Sequence, residues 1–317
     1  MKRDCHSNAP PCRGDLYRSA ASWSVAATVN VNGRISPEHD AVISVFDHGF
    51  LYGEGVYETL RTYRRLPFLY DPHMRRLRNS ARMIELAIPF TDDVLATHIR
   101  ETLAAAALGE NEAYIRVLVT RGVGELTYDL RATPKPSWII IVKRLVEPPR
   151  EIYETGVRVV LVDVVRNHPQ SVSPTIKSNN LLNQALAAQQ ALKRGGFEAV
   201  MRNYRGELTE CATSNLFIVK NNVVLTPPIQ SGLLPGITRE FVFEVGRDLG
   251  IDVREQVLRD ADLFESDEAF LTSTTRELLP IAGLDERTIG SGKPGPASSK
   301  LLQRFRERAW AGDWTQS

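Results

Sequence analysis

Apolar and polar residues alternate from Val25 to Val31 and stop at Asn32-Gly33, a dipeptide suited to a tight hairpin, so ordered structure is expected to begin with two antiparallel strands. In SVFDHGFLYGEGVYETLRTYRRLPFLY two β-rich runs flank a turn bearing Gly53 and Gly55, and Arg64-Arg65 predicts a second hairpin. As a bare GxG the two glycines suit a phosphate contact and a tight turn equally well. Asp71-Pro72 then opens a helix whose apolar residues over His73 to Leu86 recur at Met74, Leu77, Ala81 and Ile84. A second helix is predicted from Asp92 to Leu108, stopped by Gly109. Strands follow from Ala113 (AYIRVLVTRG) and Ser137 (SWIIIVKRL), separated by GVGELTYDLRATPKP, a loop long enough to serve as a lid.

The pattern breaks at Val146-Glu147-Pro148-Pro149-Arg150, which predicts an interdomain linker over 146–151. Beyond it, Val157 to Val165 alternates as a strand, and a polar turn at Lys177 leads into an Ala/Leu/Gln helix ending at Gly195-Gly196. FEAVMRN, ELTE and NLFIVK read as strands, with Asn221-Asn222 turning into VVLTPP. Gly236-Ile237-Thr238 begins a helix that runs to Gly250, EAFLTSTT is a further strand, and Leu301 to Trp310 is a closing helix. The expected organisation is an extension over 1–22, a small α+β domain over 23–145 and a larger α+β domain over 152–317, without internal repeats.

A length of 317 residues exceeds one ordinary core, which agrees with two domains. A net charge of +1 with interspersed acids and bases argues against nucleic acid or an acidic membrane as partner, leaving small molecules. The longest strongly apolar run, Trp138 to Val142, is too short to span a bilayer, so a cytoplasmic protein is expected. Three cysteines form no even framework, and Cys5, His6 and Cys12 have no second pair at ligand spacing, so no metal site is expected.

Lys177 lies just ahead of its helix, Glu210 stands among small and hydroxyl residues in GELTECATSNLFIV, LLPGITRE ends in a helix N-terminus, and LTSTTREL is a hydroxyl-rich strand end at Thr272 to Thr275. Each has an ordinary reading as solvated charge, helix cap or polar loop. Together they supply what pyridoxal 5′-phosphate requires: an amine for its aldehyde, a carboxylate for its pyridine nitrogen, and free helix amides with a hydroxyl and an arginine for its phosphate.

The chain resembles the fold-type IV pyridoxal-phosphate enzymes, which include branched-chain aminotransferases, D-amino acid aminotransferases and aminodeoxychorismate lyases. The resemblance rests on DHGFLYGEGVYETLRTY, HMRRL, YIRVLVTRG, the lysine before an Asn/Leu-rich helix, ELTECATSNLF, LTPPIQSGLLPGITRE, VREQVL and LTSTTRELLPI, and runs from about Val25 to the C-terminus. It implies a two-domain α+β fold with the cofactor in the interdomain cleft, assembled as a homodimer. It further implies that Lys177 is the Schiff-base lysine and acid/base, and that Glu210 partners the pyridine nitrogen. Arg76, the Ile237 and Thr238 amides and Thr274 would form the phosphate cup, and Tyr52, Tyr57, Arg116, Thr274 and Thr275 would contact substrate.

The subfamily signals are mixed. YIR at Tyr114 to Arg116 resembles the branched-chain group, and Leu126 and Tyr128 replace the Arg-x-His pair with which D-amino acid enzymes bind the substrate carboxylate. Branched-chain enzymes, however, carry a tyrosine on the cofactor's phenolic oxygen where this chain has Leu182, with Asn180 as a possible stand-in. The expected activity is transamination between a hydrophobic, branched-chain L-amino acid and 2-oxoglutarate. D-amino acid transamination, the 4-amino-4-deoxychorismate lyase reaction, and phosphate-anion binding without turnover are the alternatives.

Overall fold

The computed structural model describes residues 26–312; the predicted extension over 1–22, with Cys5, His6 and Cys12, lies outside them. The chain divides into two compact units. The N-terminal unit holds the described residues up to Glu147, together with Thr175–Leu181 and the chain from Arg308; the C-terminal unit holds Pro148–Pro174 and Leu182–Glu307. The turn that carries Lys177 thus packs with the N-terminal unit although both flanking segments belong to the other.

The N-terminal unit is built on a six-stranded sheet of β1 (Thr28–Val31), β2 (Arg34–Pro37), β3 (Gly55–Tyr63), β4 (Leu66–Pro67), β5 (Ala113–Thr120) and β6 (Ser137–Arg144), in the order β2-β1-β6-β5-β3-β4. The expected hairpin turns form at Asn32-Gly33 and Arg64-Arg65, all four residues having positive φ. The expected first β-run of the DHGF stretch does not form. His48–Leu51 is instead a helical turn, α1, because the Asp47 carboxylate accepts from the Gly49 amide and from the Thr120 hydroxyl, tying the stretch to the end of β5. Its apolar residues Val45, Phe46 and Phe50 are exposed, so their spacing marked no core-facing strand.

Helix α2 (Tyr70–Met83) packs Met74, Leu77 and Ala81 on Val56 and Leu60 of β3. It ends ahead of the expected Leu86, where Ile84 and Glu85 leave helical geometry and Glu85 takes φ 52°. Helix α3 (Asp92–Ala105) starts on a Thr91 cap and stops short of the expected Leu108.

In the C-terminal unit the elements run α4 (Arg150–Thr155), β7 (Val157–Leu161), α5 (Leu182–Lys193), β8 (Glu198–Arg202), β9 (Leu208–Cys211), β10 (Asn215–Lys220), β11 (Val223–Thr226), α6 (Ile237–Leu249), β12 (Val253–Glu255), α7 (Asp260–Phe264), β13 (Glu268–Ser273), β14 (Glu277–Leu284), β15 (Arg287–Thr288) and α8 (Pro296–Ala311). The strand expected over Val157 to Val165 ends at Leu161, and the closing helix starts at Pro296 rather than Leu301. The sheet order is β12-β11-β10-β13-β14-β7-β8-β9, and β9 also pairs with β10, so the strands from β10 round to β9 close on themselves. Closure removes two exposed edges, and its seam is the pair Glu210↔Asn215. Val159, Leu216, Ile218, Leu271, Leu279 and Ile281 meet in one apolar core. Burying such side chains contributes roughly 1.5–3 kcal/mol each, and this holds the seam in place.

Candidate active site

In the N-terminal unit, one edge of β3 pairs with β5, and beside its opening residues the Lys177 turn is hydrogen-bonded. The Tyr57 amide donates to the Lys177 carbonyl (2.9 Å), the Asn179 amide donates to the Gly55 carbonyl (2.9 Å), and Val56 bridges Ser178. The Lys177 amide is held by the Ser80 hydroxyl on α2 (3.1 Å). Gly55 is required for this approach, since a Cβ there would stand 2.5 Å from Asn179 Nδ2. The two glycines therefore seat the lysine turn: Gly53, with φ +70°, lies against Asn180.

The Lys177 ammonium lies 4.5 Å from the centre of the Tyr57 ring, and the Arg116 guanidinium, reaching from β5, lies 4.0 Å from the same ring. A ring quadrupole attracts both cations. The structure thus brings the predicted residues Tyr57, Arg116 and Lys177 into one cluster. Tyr52 belongs to a different group, its ring 4.9 Å from His48 and 5.1 Å from Tyr128 in the 121–136 loop. His48 ties that loop down through Glu54 (3.2 Å) and the Glu125 carbonyl (2.9 Å).

Arg76 is buried on α2 and paired with Glu58 of β3: Nε donates to Oε1 (2.7 Å) and Nη2 to Oε2 (2.8 Å), while His73 Nδ1 meets Oε2 at 2.7 Å. Burial would raise the Glu58 carboxyl, but the charges and hydrogen bonds of Arg76 and His73 outweigh it and hold the group far below the ordinary carboxylate range. Burial first, and the nearby Arg76 and Lys177 charges after it, keep His73 below its ordinary value despite the opposing pull of Glu58.

In the C-terminal unit Glu210 sits at the barrel seam. Its Oε1 accepts from buried Arg166 Nε (2.7 Å), and its Oε2 from the Leu234 amide (3.1 Å) and Asn215 Nδ2 (3.4 Å). Asn215 is also opposite Thr272, so Glu210, Asn215 and Thr272 form one row across β9, β10 and β13. Helix α6 begins beside this row. Gly236 is its N-cap, no side chain caps it, and a Cβ on Gly236 would stand 1.8 Å from Asn215 Oδ1. Its first amides, Ile237 and Thr238, have no intrahelical acceptor. The Thr272 and Ser273 hydroxyls are buried without a partner among the described residues, and Thr274 and Thr275 form the half-buried turn that follows. Such unsatisfied donors are uncommon in a finished interior and mark a place for an acceptor.

Arg166, Glu58 and Ser80 were not singled out in the sequence, whereas His73, with Arg75 and Arg76 in the opening turns of the helix, was open to solvation or anion binding. Glu58 carried a signal all the same, being a carboxylate at a core-facing position of β3 between Val56 and Leu60. Arg166 carried none in its local pattern.

The sequence model of the amino-transferase class IV family matches residues 55–284, and this chain belongs to that family. Among relatives, a Methanocaldococcus jannaschii protein with a provisional branched-chain-amino-acid aminotransferase name is 38% identical over 279 residues, covering 88% of this chain and 95% of the relative. A D-alanine aminotransferase of Listeria monocytogenes is 34% identical, with coverage of 88% and 95%. A solved structure of the T.th. branched-chain amino acid aminotransferase with pyridoxamine 5′-phosphate superposes with a TM-score of 0.85 at 28% identity, covering 90% of this chain and 95% of that one.

The protein is therefore a class IV aminotransferase and its cofactor is pyridoxal 5′-phosphate. Taken by itself, each unit carries groups that such a cofactor uses: in the N-terminal unit an amine over an aromatic ring and an arginine held by Glu58, in the C-terminal unit an anchored carboxylate, uncapped helix amides and unpartnered hydroxyls. Among the described residues there is no cluster suited to a metal ion and no helix long and apolar enough to cross a membrane.

Proposed function

We propose that this aminotransferase moves the amino group between a hydrophobic, branched-chain L-amino acid and 2-oxoglutarate, with Lys177 as its covalent and proton-transfer residue. The observation that carries the reading is the Lys177 ammonium lying over the Tyr57 ring beside Arg116. When bound, pyridoxal 5′-phosphate supplies an electron sink for the bonds at the substrate α carbon. The Lys177 amine would hold the aldehyde carbon at rest, and when free its Nζ would take the proton from the substrate α carbon and return it. Glu210, anchored by Arg166 and the Leu234 amide, would accept a hydrogen bond from the pyridine N–H. Arg76, the Ile237 and Thr238 amides and the Thr274 hydroxyl hold the phosphate. Arg116 meets the substrate carboxylate, and Tyr52, Tyr57, Thr274 and Thr275 surround the rest of the substrate.

The side chains at Leu126 and Tyr128 favour an L-amino acid, since neither can bind the substrate carboxylate by charge as an Arg-x-His pair would; the Tyr128 ring packs at 48° to that of Tyr52. D-amino acid transamination is the second reading. It is favoured by Leu182, which is exposed at the first position of α5 where a ring-oxygen tyrosine would otherwise stand, and by the Listeria relative. We further infer pairing with a second copy through Val42, Ile43, Val45 and Phe46 together with Val123 and Leu126, exposed apolar residues on two segments joined at Asp47↔Val123.

The test is to mix holoenzyme with L-leucine, D-alanine or L-glutamate, one at a time, and follow loss of the yellow absorbance. Bleaching by L-leucine and L-glutamate is expected, and bleaching by D-alanine alone would overturn the L-amino acid reading. Borohydride should fix the cofactor on Lys177, and Lys177→Ala should abolish turnover while staying folded; near-normal activity in that variant would refute its role.

A further inference from the structure

Glu58 lies on the β3 face that also carries Val56 and Leu60, and its side chain is completely buried. A carboxylate there is costly unless its oxygens are all engaged, and the groups engaging it come from α2 at helical spacing. His73, Arg76, Leu77 and Ser80 share one face of that helix. His73 and Arg76 take both Glu58 oxygens, Leu77 joins the core, and the Ser80 hydroxyl fixes the Lys177 backbone. One helix face thus indexes the lysine and the arginine together. Glu58 engages Arg76 through two nitrogens, and a planar guanidinium gripped at two points has its plane and direction fixed.

We propose that Glu58, with His73 as its second anchor, is a positioning residue that aims the Arg76 guanidinium at the cofactor phosphate. The proposal rests on the reading of Arg76 as a phosphate ligand. It assigns to Glu58 a role in selecting the phosphorylated cofactor and none in holding its ring or aldehyde. The acid is buried beneath Arg76, while the amine that takes the aldehyde is placed by Ser80 and β3.

The test titrates apoprotein with pyridoxal 5′-phosphate and, separately, with pyridoxal, for wild type, Glu58→Gln, His73→Asn and Arg76→Ala. Glu58→Gln should weaken the phosphorylated ligand about 10–100-fold, the range seen when an outer partner of a ligating group is lost, and leave pyridoxal affinity within about two-fold. His73→Asn keeps Glu58 on Arg76 and should give a smaller loss of the same selectivity; it also serves as the readout if Glu58→Gln does not fold. Equal weakening of both ligands, or no weakening, in whichever of these variants is folded would overturn the positioning role. If Arg76→Ala keeps the preference for phosphate, the assignment of Arg76 falls. If Arg76→Ala loses that preference and Glu58→Gln keeps it, the role of Glu58 alone falls.

Discussion

Each unit buries one arginine–glutamate pair with Nε and Oε1 2.7 Å apart, and the two pairs are built in opposite senses. In the N-terminal unit Glu58 gives both oxygens to Arg76 and His73, all within the unit's interior, so the acid supports the cation. In the C-terminal unit Glu210 gives one oxygen to Arg166 and the other to the longer contacts from Asn215 and the Leu234 amide, so the cation supports the acid. On the proposed reading the working members are Arg76, a cation for the phosphate, and Glu210, an anion for the pyridine nitrogen.

The largest expected effect breaks the first pair. Glu58→Leu should cost about 3–5 kcal/mol in urea unfolding, because Arg76 is left as a buried charge without that partner. Adding Arg76→Met should recover part of the loss while further weakening phosphate affinity. A double variant less stable than the single would show that the pair is kept for stability. Acid gives an independent view of the same cluster. Glu58 is depressed from 4.5, so its contribution is complete above that value and is lost as pH falls below it; His73 is depressed from 6.5, so its share is lost as pH falls below 6.5. Both act in one direction, and melting temperature should decline as pH falls from 7, with the Glu58 share entering below pH 4.5. Below pH 4.5 the decline should be shallower in Glu58→Gln; an unchanged slope there would mean that other groups control acid unfolding.

The second pair should answer in rate. Glu210→Gln is expected to lower kcat roughly 100-fold, the scale for loss of a preorganised electrostatic partner, with amino-acid KM moving little. Arg166→Met should lower kcat about 10-fold by loosening Glu210. The reverse order, with Arg166 the more damaging, would make Arg166 the working member and erase the contrast between the units.

Legibility followed the reach of each interaction. Asn32-Gly33, the α6 limits at Gly236 and Gly250, and the strands β5 and β6 could be read because local turn chemistry and periodicity decide them. The DHGF stretch was misread as strand because α1 is fixed by Asp47 and Thr120, which are far apart in sequence. Helix α8 starts early because Glu268 of β13 accepts from the Ala297 and Ser298 amides, a cap that no local window contains. Strand β14 is buried along its whole length and shows no alternation. The proposed site residues Lys177, Glu210 and Arg76 came from their chemistry and from the resemblance. The groups that hold Glu210 and Arg76 could not be read, since Arg166 meets Glu210 from 44 positions away and Glu58 meets Arg76 from 18.

The smallest effects sharpen the contrast at the seam. Gly236 has an ordinary φ of −76°, so alanine there is opposed by contact, chiefly with Asn215 Oδ1 and also with Arg239 Cβ at 3.2 Å; the Asn215 amide nitrogen is shared between Glu210 and the Leu234 carbonyl. Gly250 at the other end of α6 has φ +64° and nothing within 4 Å of a new Cβ, so alanine there is opposed only by backbone strain. Both substitutions should cost on the order of 1–2 kcal/mol, one by overpacking and one by the left-handed conformation. They should differ in rate. Gly236→Ala displaces the asparagine that steadies Glu210 and should lower kcat several-fold, whereas Gly250→Ala should leave kcat unchanged at a matched loss of stability. Equal kcat values would show that Arg166 and the Leu234 amide hold Glu210 without help from Asn215, and the seam would then be a matter of barrel closure alone.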